Sequence, residues 1–379
     1  MNRSPPLLSL GDRWRARRDR WLASPRFQRW AARFPLTRPI ARRHARSLFD
    51  LVAGFVYTQI LLAGVRLKLF ERLAEGPASA EDLAGPLALS PDATERLLAA
   101  CAALDLAERR NDGRYGLGPL GAALLGNPGI VAMIEHHALL YADLRDPVAL
   151  LRGEHADTAL GRYWPYAAAG AGGGASLDGG HVADYSALMS ASQPLVADEA
   201  LDAYQLEKRG HRCLLDVGGG EGTFLCAAAR RDPQLQLIVF DLPPVAERAS
   251  ARFAAAGLAG RARAVGGDFL RDELPAGADI VSVVRVLHDH DDDGVLKLLQ
   301  AIRRALPPGG TLLIVEPMSE TPGAEPMGDA YFGFYLLAMG RGRPRSAEAL
   351  QALLSSAGFH RQRLLPTSMP LQTRVMVAQ

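Results

Sequence analysis

Two groups of residues in this 379-residue chain have the types and spacing that chemistry requires. The first is Asp216-Val217-Gly218-Gly219-Gly220-Glu221-Gly222, an acid followed at once by a glycine-packed turn. Glycine has no Cβ, so it lets a backbone turn sharply and lets a ligand come close. The second is His288, inside Leu287-His288-Asp289-His290-Asp291-Asp292-Asp293. A neutral imidazole can take a proton near pH 7. The carboxylates beside it could orient the ring and favour the imidazolium that develops.

The elements around the glycines define the first site. Leu214–Val217 reads as a strand and Thr223–Ala229 as a helix opening. Strand, glycine-rich turn and helix make a nucleotide cradle at the carboxyl edge of a parallel sheet. The dinucleotide pattern G-x-G-x-x-G fails, because its last position falls on Thr223 or on Leu225. What fits is G-x-G-x-G at Gly218, Gly220 and Gly222, a spacing that resembles motif I of S-adenosylmethionine-dependent methyltransferases. That cofactor carries no phosphate, and its amino and sulfonium groups make a nearby carboxylate such as Asp216 a sensible partner. The next strand, Leu235–Phe240, ends in Asp241, about 20 residues past the glycines, where a carboxylate holds a ribose diol. Asp241 also suits the cap of the helix that follows. At a third strand end, Asp268 could accept from an adenine amino group and Phe269 could pack on the ring.

The run Ala278–Val284 leads into the His288 segment; helix 295–306, the turn 307–310 and the strand Thr311–Glu316 follow. Alternating strands and helices of this length predict an α/β fold, a doubly wound, Rossmann-like parallel sheet. His288 then falls just past the fourth strand, where such sheets place their ligands. Its alternation with aspartates also has the composition of a metal site. Acids directly before a helix are ordinary N-terminal chemistry, however, and no metal is assigned.

The order LLDVGGGEG, VFDLP, GGDF, VLHDHDD, LPPGGTLLIVEP and SSAGF resembles the small-molecule O-methyltransferases related to plant caffeate and bacterial polyketide enzymes. The resemblance runs over residues 47–379. It implies S-adenosylmethionine as cofactor, His288 as general base, and Glu316 as the first of two carboxylates that frame the base. Pro344 stands where the second is expected. A cofactor-contacting Lys of the family falls on Val284, so its role passes to the neighbouring Arg285, and His290 replaces a common Trp in the acceptor-pocket wall. The segment from Trp14 to Gln59 is similar to carotenoid-modifying members of photosynthetic bacteria, which methylate a tertiary hydroxyl of acyclic hydroxycarotenoids such as demethylspheroidene or hydroxyneurosporene. The expected activity is therefore O-methylation of a hydrophobic hydroxylated small molecule. A phenolic or polyketide acceptor is the alternative within the class, and a non-enzymatic winged-helix binding module is the rival outside it.

Three regions are expected: a basic arm at 1–46, a helical winged-helix-like domain at 47–165 and the cofactor-binding domain at 166–379. In the second, Ser79 and Ser90 have the setting of helix caps, and Leu106–Arg110 and Gly113–Leu117 read as a two-stranded wing. A winged helix can bind DNA, but no basic recognition helix is present and the net charge is only +2. The resemblance implies homodimerisation instead. The Gly/Ala-rich loop 167–181 precedes Tyr185, Leu188 and Met189, which helical spacing puts on one side, facing an apolar ligand as a group. Cys101, Cys213 and Cys226 lack metal or disulfide spacing, and the start MNRSPPLLSLG lacks the apolar stretch of a signal peptide, so a reducing cytoplasm is expected. From Arg13 to Arg46 the arm holds twelve Arg, one acid and three Trp. That composition points to peripheral association with the inner, photosynthetic membrane or to an arm that wraps a dimer. The apolar run Leu51–Val65 reads as too short to span a bilayer and as a dimer contact.

Overall fold

The computed structural model describes residues 9–154, 157–163, 179–371 and 373–379, with the backbone alone for 179–187. The expected loop at 167–181 falls largely outside these residues, as does the side chain of Tyr185. The chain forms two compact units, Met1–Ala122 and Ala123–Gln379.

The first unit runs α1 (Leu10–Leu22), α2 (Pro25–Arg33), α3 (Arg38–Arg66), α4 (Leu69–Glu75), α5 (Ala80–Leu87), α6 (Pro91–Ala103), β1 (Ala107–Arg109) and β2 (Tyr115–Leu117). Helix starts follow the capping chemistry of the sequence. Ser79 and Asp82 form a reciprocal capping box, and the Ser90 hydroxyl accepts from the Ala93 amide. The wing is present: Ala107 pairs antiparallel with Leu117 across a turn in which Gly113 takes φ 84°. Tyr115 is buried and its hydroxyl donates to Glu95. The run Leu51–Val65 lies inside the 29-residue α3. The basic stretch before it, with Arg38, Arg42, Arg43 and Arg46, is helical too. By length and composition α3 can cross a bilayer, its most apolar window averaging a hydropathy of 1.8.

The second unit begins within α7 (Pro119–Leu125) and continues through α8 (Pro128–Asp143), α9 (Pro147–Leu151), α10 (Ala159–Tyr163) and α11 (Gly179–Tyr204) to a seven-stranded sheet. The compact units divide at 122/123, where the sequence reading places its boundary at 165/166. The reason is packing: Leu140, Leu150 and Leu160 share a core with Tyr335, Leu336 and Met339, and the Thr158 hydroxyl donates to the Ala338 carbonyl.

The strands are β3 (Cys213–Val217), β4 (Gln236–Asp241), β5 (Ala262–Gly266), β6 (Ile280–Val284), β7 (Thr311–Glu316), β8 (Gln362–Leu365) and β9 (Arg374–Ala378), in the order β5-β4-β3-β6-β7-β9-β8. The first five are parallel; β9 lies antiparallel to β7, and β8 antiparallel to β9. Alternate residues serve opposite faces. Leu214, Leu237 and Val239 pack with α11, α12 (Thr223–Arg231) and α13 (Pro243–Ala255). Leu215, Val217, Ile238 and Phe240 pack with α14 (Asp292–Ala305) and α16 (Ala347–Ser356), which follows α15 (Phe332–Met339). Both faces are covered, which is why these strands read as unbroken apolar runs. The strand order reverses between β3 and β6, so a crevice opens at their carboxyl ends.

Candidate active site

The glycine turn leaves the end of β3 with Gly218, Gly220 and Gly222 at φ 68°, 57° and 76°. An L side chain pays about 1–2 kcal/mol to enter that region. A Cβ on Gly222 would also sit 2.5 Å from the Phe253 ring, and one on Gly218 2.8 Å from Val286. Beside the turn lies a cleft lined by Gly218, Gly220, Asp241, Phe269, Arg285 and His290 among others. Asp241 is buried, and its two oxygens accept from the amides of Gly220 (2.8 Å) and Leu242 (2.7 Å). One carboxylate therefore fixes the turn and faces the cleft, while α13 starts after Leu242 without a side-chain cap, so the expected capping role of Asp241 is not met. Phe269 meets His290 edge to face at 5.3 Å, so His290 is part of the cleft wall rather than of the acceptor pocket.

Two expected cofactor residues lie elsewhere. Asp216 is fully buried beneath the turn and does not line the cleft. Its Oδ1 accepts from the Ser282 hydroxyl at 2.6 Å, and its Oδ2 has no hydrogen-bond partner. Burial pushes its pKa up to about 7. A Cβ on Gly219 would be 2.4 Å from Oδ2, so this acid accounts for the second glycine of the turn. Asp268 closes its own loop, accepting from the Leu270 amide at 2.9 Å and pairing with Arg271 at 3.4 Å, and also stays out of the cleft. In exchange the cleft takes in Ser190 and Gln193 of α11, Glu221 and Asp289, to which sequence reasoning gave no cofactor role. Glu221 stood inside the glycine motif and was the one with a visible signal. It is held by Arg248 at 2.6 Å and by Arg252.

His288 sits in a short 3₁₀ turn, Leu287–Asp289, directly after β6. Glu316, at the end of β7, organises this turn. Its Oε1 accepts from the amides of Val286 (2.9 Å) and Leu287 (2.7 Å), and its Oε2 bonds His288 Nδ1. The other ring nitrogen lies 3.2 Å from Asp289 Oδ1, an ion-pair contact without hydrogen-bond alignment. Burial opposes the imidazolium and is the largest single effect. Asp289 and Glu316 together outweigh it, so the pKa of His288 lies above its ordinary 6.5. Burial lifts Asp289 to about 6 and lowers His290 to about 4. The turn is braced from below. Arg345 is buried and donates to the carbonyls of Leu287 (2.8 Å) and His290 (2.6 Å) and to Asp292 Oδ1 (2.9 Å).

His288 also lines a second cavity of about 620 Å³, walled mostly by apolar side chains such as Ile130, Met133, Ile134, Leu195, Met327 and Phe332. Its polar exceptions include the pair His137–Tyr331, joined at 2.8 Å. Arg285 and Met189 line both this cavity and the cofactor-side cleft. Arg285 holds φ 58°, a strained setting for a residue with a side chain, and donates to Ser192 Oγ at 2.9 Å and Met189 Sδ at 2.7 Å. The site is thus two adjoining chambers, one built of glycine backbone, carboxylate and aromatic edge, the other apolar, with a carboxylate-held imidazole on its wall.

Comparison with known proteins gives consistent matches. Residues 141–360 match the model of an O-methyltransferase domain, and residues 49–127 that of an O-methyltransferase dimerisation domain. The chain is 45% identical over 359 residues to demethylspheroidene O-methyltransferase of Cereibacter sphaeroides, covering 95% of this chain and 93% of that protein. It is 35% identical to acetylserotonin O-methyltransferase of Mus musculus, covering 85% of each. Among solved structures, the S-adenosylmethionine-dependent methyltransferase SibL in its apo form superposes with a TM-score of 0.72 at 27% identity, covering 88% of this chain and 98% of that one.

Proposed function

Since the chain belongs to the S-adenosylmethionine-dependent O-methyltransferases and carries their dimerisation domain, we propose that this homodimeric enzyme methylates the tertiary hydroxyl of an acyclic hydroxycarotenoid, with His288 as general base. The observation that carries the reading is His288 itself, buried on the wall of an apolar 620 Å³ cavity that adjoins the cofactor cleft through Arg285 and Met189. The 45% relative is named for a carotenoid, and a long apolar acceptor suits such a chamber.

The residues of the cleft fit the cofactor: Asp241 for the ribose hydroxyls, Phe269 for the adenine ring, and the backbone of Gly218 and Gly220 for close approach. Bound there, S-adenosylmethionine supplies an electrophilic methyl group. The protein's part is alignment and proton transfer. Positioning acceptor oxygen, methyl carbon and sulfur in line provides much of the rate. A tertiary alcohol is a very weak acid, so its proton must leave as the C–O bond forms. Neutral His288 receives it, and Glu316, holding Nδ1–H, keeps the other nitrogen available and stabilises the cation that results. Arg285 lies between the chambers and restrains α11 through Ser192.

The test is transfer of a labelled methyl group to a panel containing a hydroxycarotenoid and a phenol. His288→Ala should abolish turnover of the tertiary alcohol while cofactor still binds; full retained rate would remove His288 from this role. The 35% relative is named for acetylserotonin, and preferential turnover of the phenol would move the acceptor class accordingly. We also place the enzyme in the cytoplasm, associated peripherally with the inner membrane through its N-terminal arm, where a lipid-soluble acceptor resides.

A further inference from the structure

We propose that α2 and the turn after it form a binding surface for anionic phospholipid headgroups, with the aromatic residues beside it entering the interface. The purpose of this surface rests on the reading of a membrane-dissolved acceptor; its geometry stands independently. In α2, Phe27, Trp30 and the following Phe34 recur at helical spacing. Their rings form a continuous strip, with centroids 5.6 Å apart for Phe27–Trp30 and 5.1 Å for the stacked pair Trp30–Phe34. Arg26, Arg29 and Arg33 repeat the same spacing one residue earlier, so a guanidinium stripe runs alongside the aromatic one. With Trp30, Phe34 and Pro35 these three arginines line a shallow concavity of about 730 Å³. None of them forms an ion pair among the described residues. Trp30 is 52% exposed, and in α1 Trp14 and Trp21, two turns apart, are 65% and 61% exposed.

Aromatic rings beside arginines on an exposed helix match the boundary between acyl chains and headgroups. A second copy of this chain is the other candidate occupant. Between Arg13 and Arg46 the arm has twelve Arg against one acid, so pairing two copies of it face to face would set like charges against each other. The dimerisation domain matches from residue 49 onward, beyond α1 and α2, a span that includes the exposed apolar positions Leu51, Val52 and Phe55 of α3. Charge complementarity therefore favours an anionic lipid surface for the arm.

The experiment uses the full-length protein and vesicles of phosphatidylcholine with and without phosphatidylglycerol, read by co-sedimentation and Trp fluorescence. Binding is expected to the anionic vesicles only, with a blue-shifted emission, and to weaken with salt. The triple variant Arg26→Ala/Arg29→Ala/Arg33→Ala should lose roughly 100-fold in vesicle affinity. Trp30→Ala/Phe34→Ala should lose binding while keeping the charge. Both should turn over detergent-dispersed hydroxycarotenoid at the wild-type rate and slow only on vesicle-embedded acceptor. Absence of wild-type binding to anionic vesicles overturns the proposal. So does a fall in solution mass of either variant without any vesicle binding by the wild type, which would give the surface to a second copy. If no hydroxycarotenoid is methylated in detergent yet vesicle binding follows this pattern, the acceptor assignment fails and the lipid surface stands.

Discussion

Replacing Glu316 with glutamine conserves volume and removes a charge, and its consequence at His288 can be worked out atom by atom. Glu316 Oε1 accepts from two backbone amides, of Val286 and Leu287, which a glutamine carbonyl can also do. The glutamine NH₂ then faces His288 Nδ1, placing a donor where an acceptor stood. Nδ1 must accept, so the proton of the neutral ring moves to the other nitrogen, which can no longer take one from the substrate. The opposite amide flip would set NH₂ against two backbone N–H groups in a buried place, at about 1–3 kcal/mol for each lost partner. A general base contributes about 10²–10⁴-fold, so kcat should fall by roughly 10³, or about 4 kcal/mol in the barrier. The charge adds a second signature. As the proposed base His288 would work neutral, so its contribution is present above its pKa and lost as pH falls through it. That pKa stands above 6.5 because Asp289 and Glu316 outweigh burial, and removing Glu316 should move the acid limb of kcat/KM to lower pH. Methyl transfer measured across pH, with cofactor affinity measured separately by calorimetry, gives both readouts. Glu316 does not line the cofactor cleft, so that affinity should hold. A variant with wild-type kcat and an unmoved acid limb would refute the assignment of Glu316 as the residue that orients the base.

Asp241→Asn should raise the cofactor Kd by roughly 10–100-fold, the worth of a charged hydrogen bond, with a smaller effect on acceptor KM; an unchanged Kd by calorimetry would take Asp241 out of ribose binding. Asp216 gives the contrasting case. Its folded pKa is raised to about 7 from 3.8, so between those values the folded state holds a proton that the unfolded state releases, and stability falls as pH rises. Asp216→Asn removes that penalty, worth at most roughly 4 kcal/mol, and should raise Tm more at pH 8 than at pH 5; equal shifts at both would mean the acid is ionised at little cost. Gly222→Ala combines a left-handed backbone with a Cβ 2.5 Å from Phe253 and should cost about 2–4 kcal/mol in chemical denaturation. A loss under 1 kcal/mol would show that the Phe253 ring moves aside easily.

The parallel strands were legible because burial on both faces leaves unbroken apolar runs, and the glycine turn because its conformation admits few other residues. Asp241, Phe269, His288 and Glu316 were legible as the residues standing where those runs end. Strand pairing that depends on distant segments was not: β9 inserts antiparallel between β7 and β8, and nothing local to Arg374–Ala378 announces that Ile314 of β7 will stand opposite Met376. The division into compact units at 122/123 was hidden for the same reason. The helices between 128 and 163 find their core in residues near 335, about 200 positions away. The burial of Asp216 was not legible because sequence gives the spacing of an acid but not the direction of its side chain. In the strand its carboxylate turns into the sheet toward Ser282, and the glycine after next covers it.

The one departure that threatened the catalytic reading was Pro344, which stands where a second carboxylate is expected. The structure places another carboxylate beside the ring. His288 has an acid at each ring nitrogen, Glu316 at Nδ1 and Asp289 at Nε2, and the second comes from the next residue in the chain rather than from a distant loop. What the 342–345 segment supplies instead is mechanical. Arg343 N–H donates to the His288 carbonyl at 2.9 Å, and Arg345 donates to the carbonyls of Leu287 and His290. At Gly342 a Cβ would fall 2.1 Å from the His288 carbonyl oxygen, so the segment can lie this close only without one. A proline at 344 has no N–H to donate, and its fixed φ limits the freedom of the chain between Arg343 and Arg345, whose bonds hold the turn. Charge beside His288 and rigidity of its turn are therefore separate features here, divided between two acids and a basic loop.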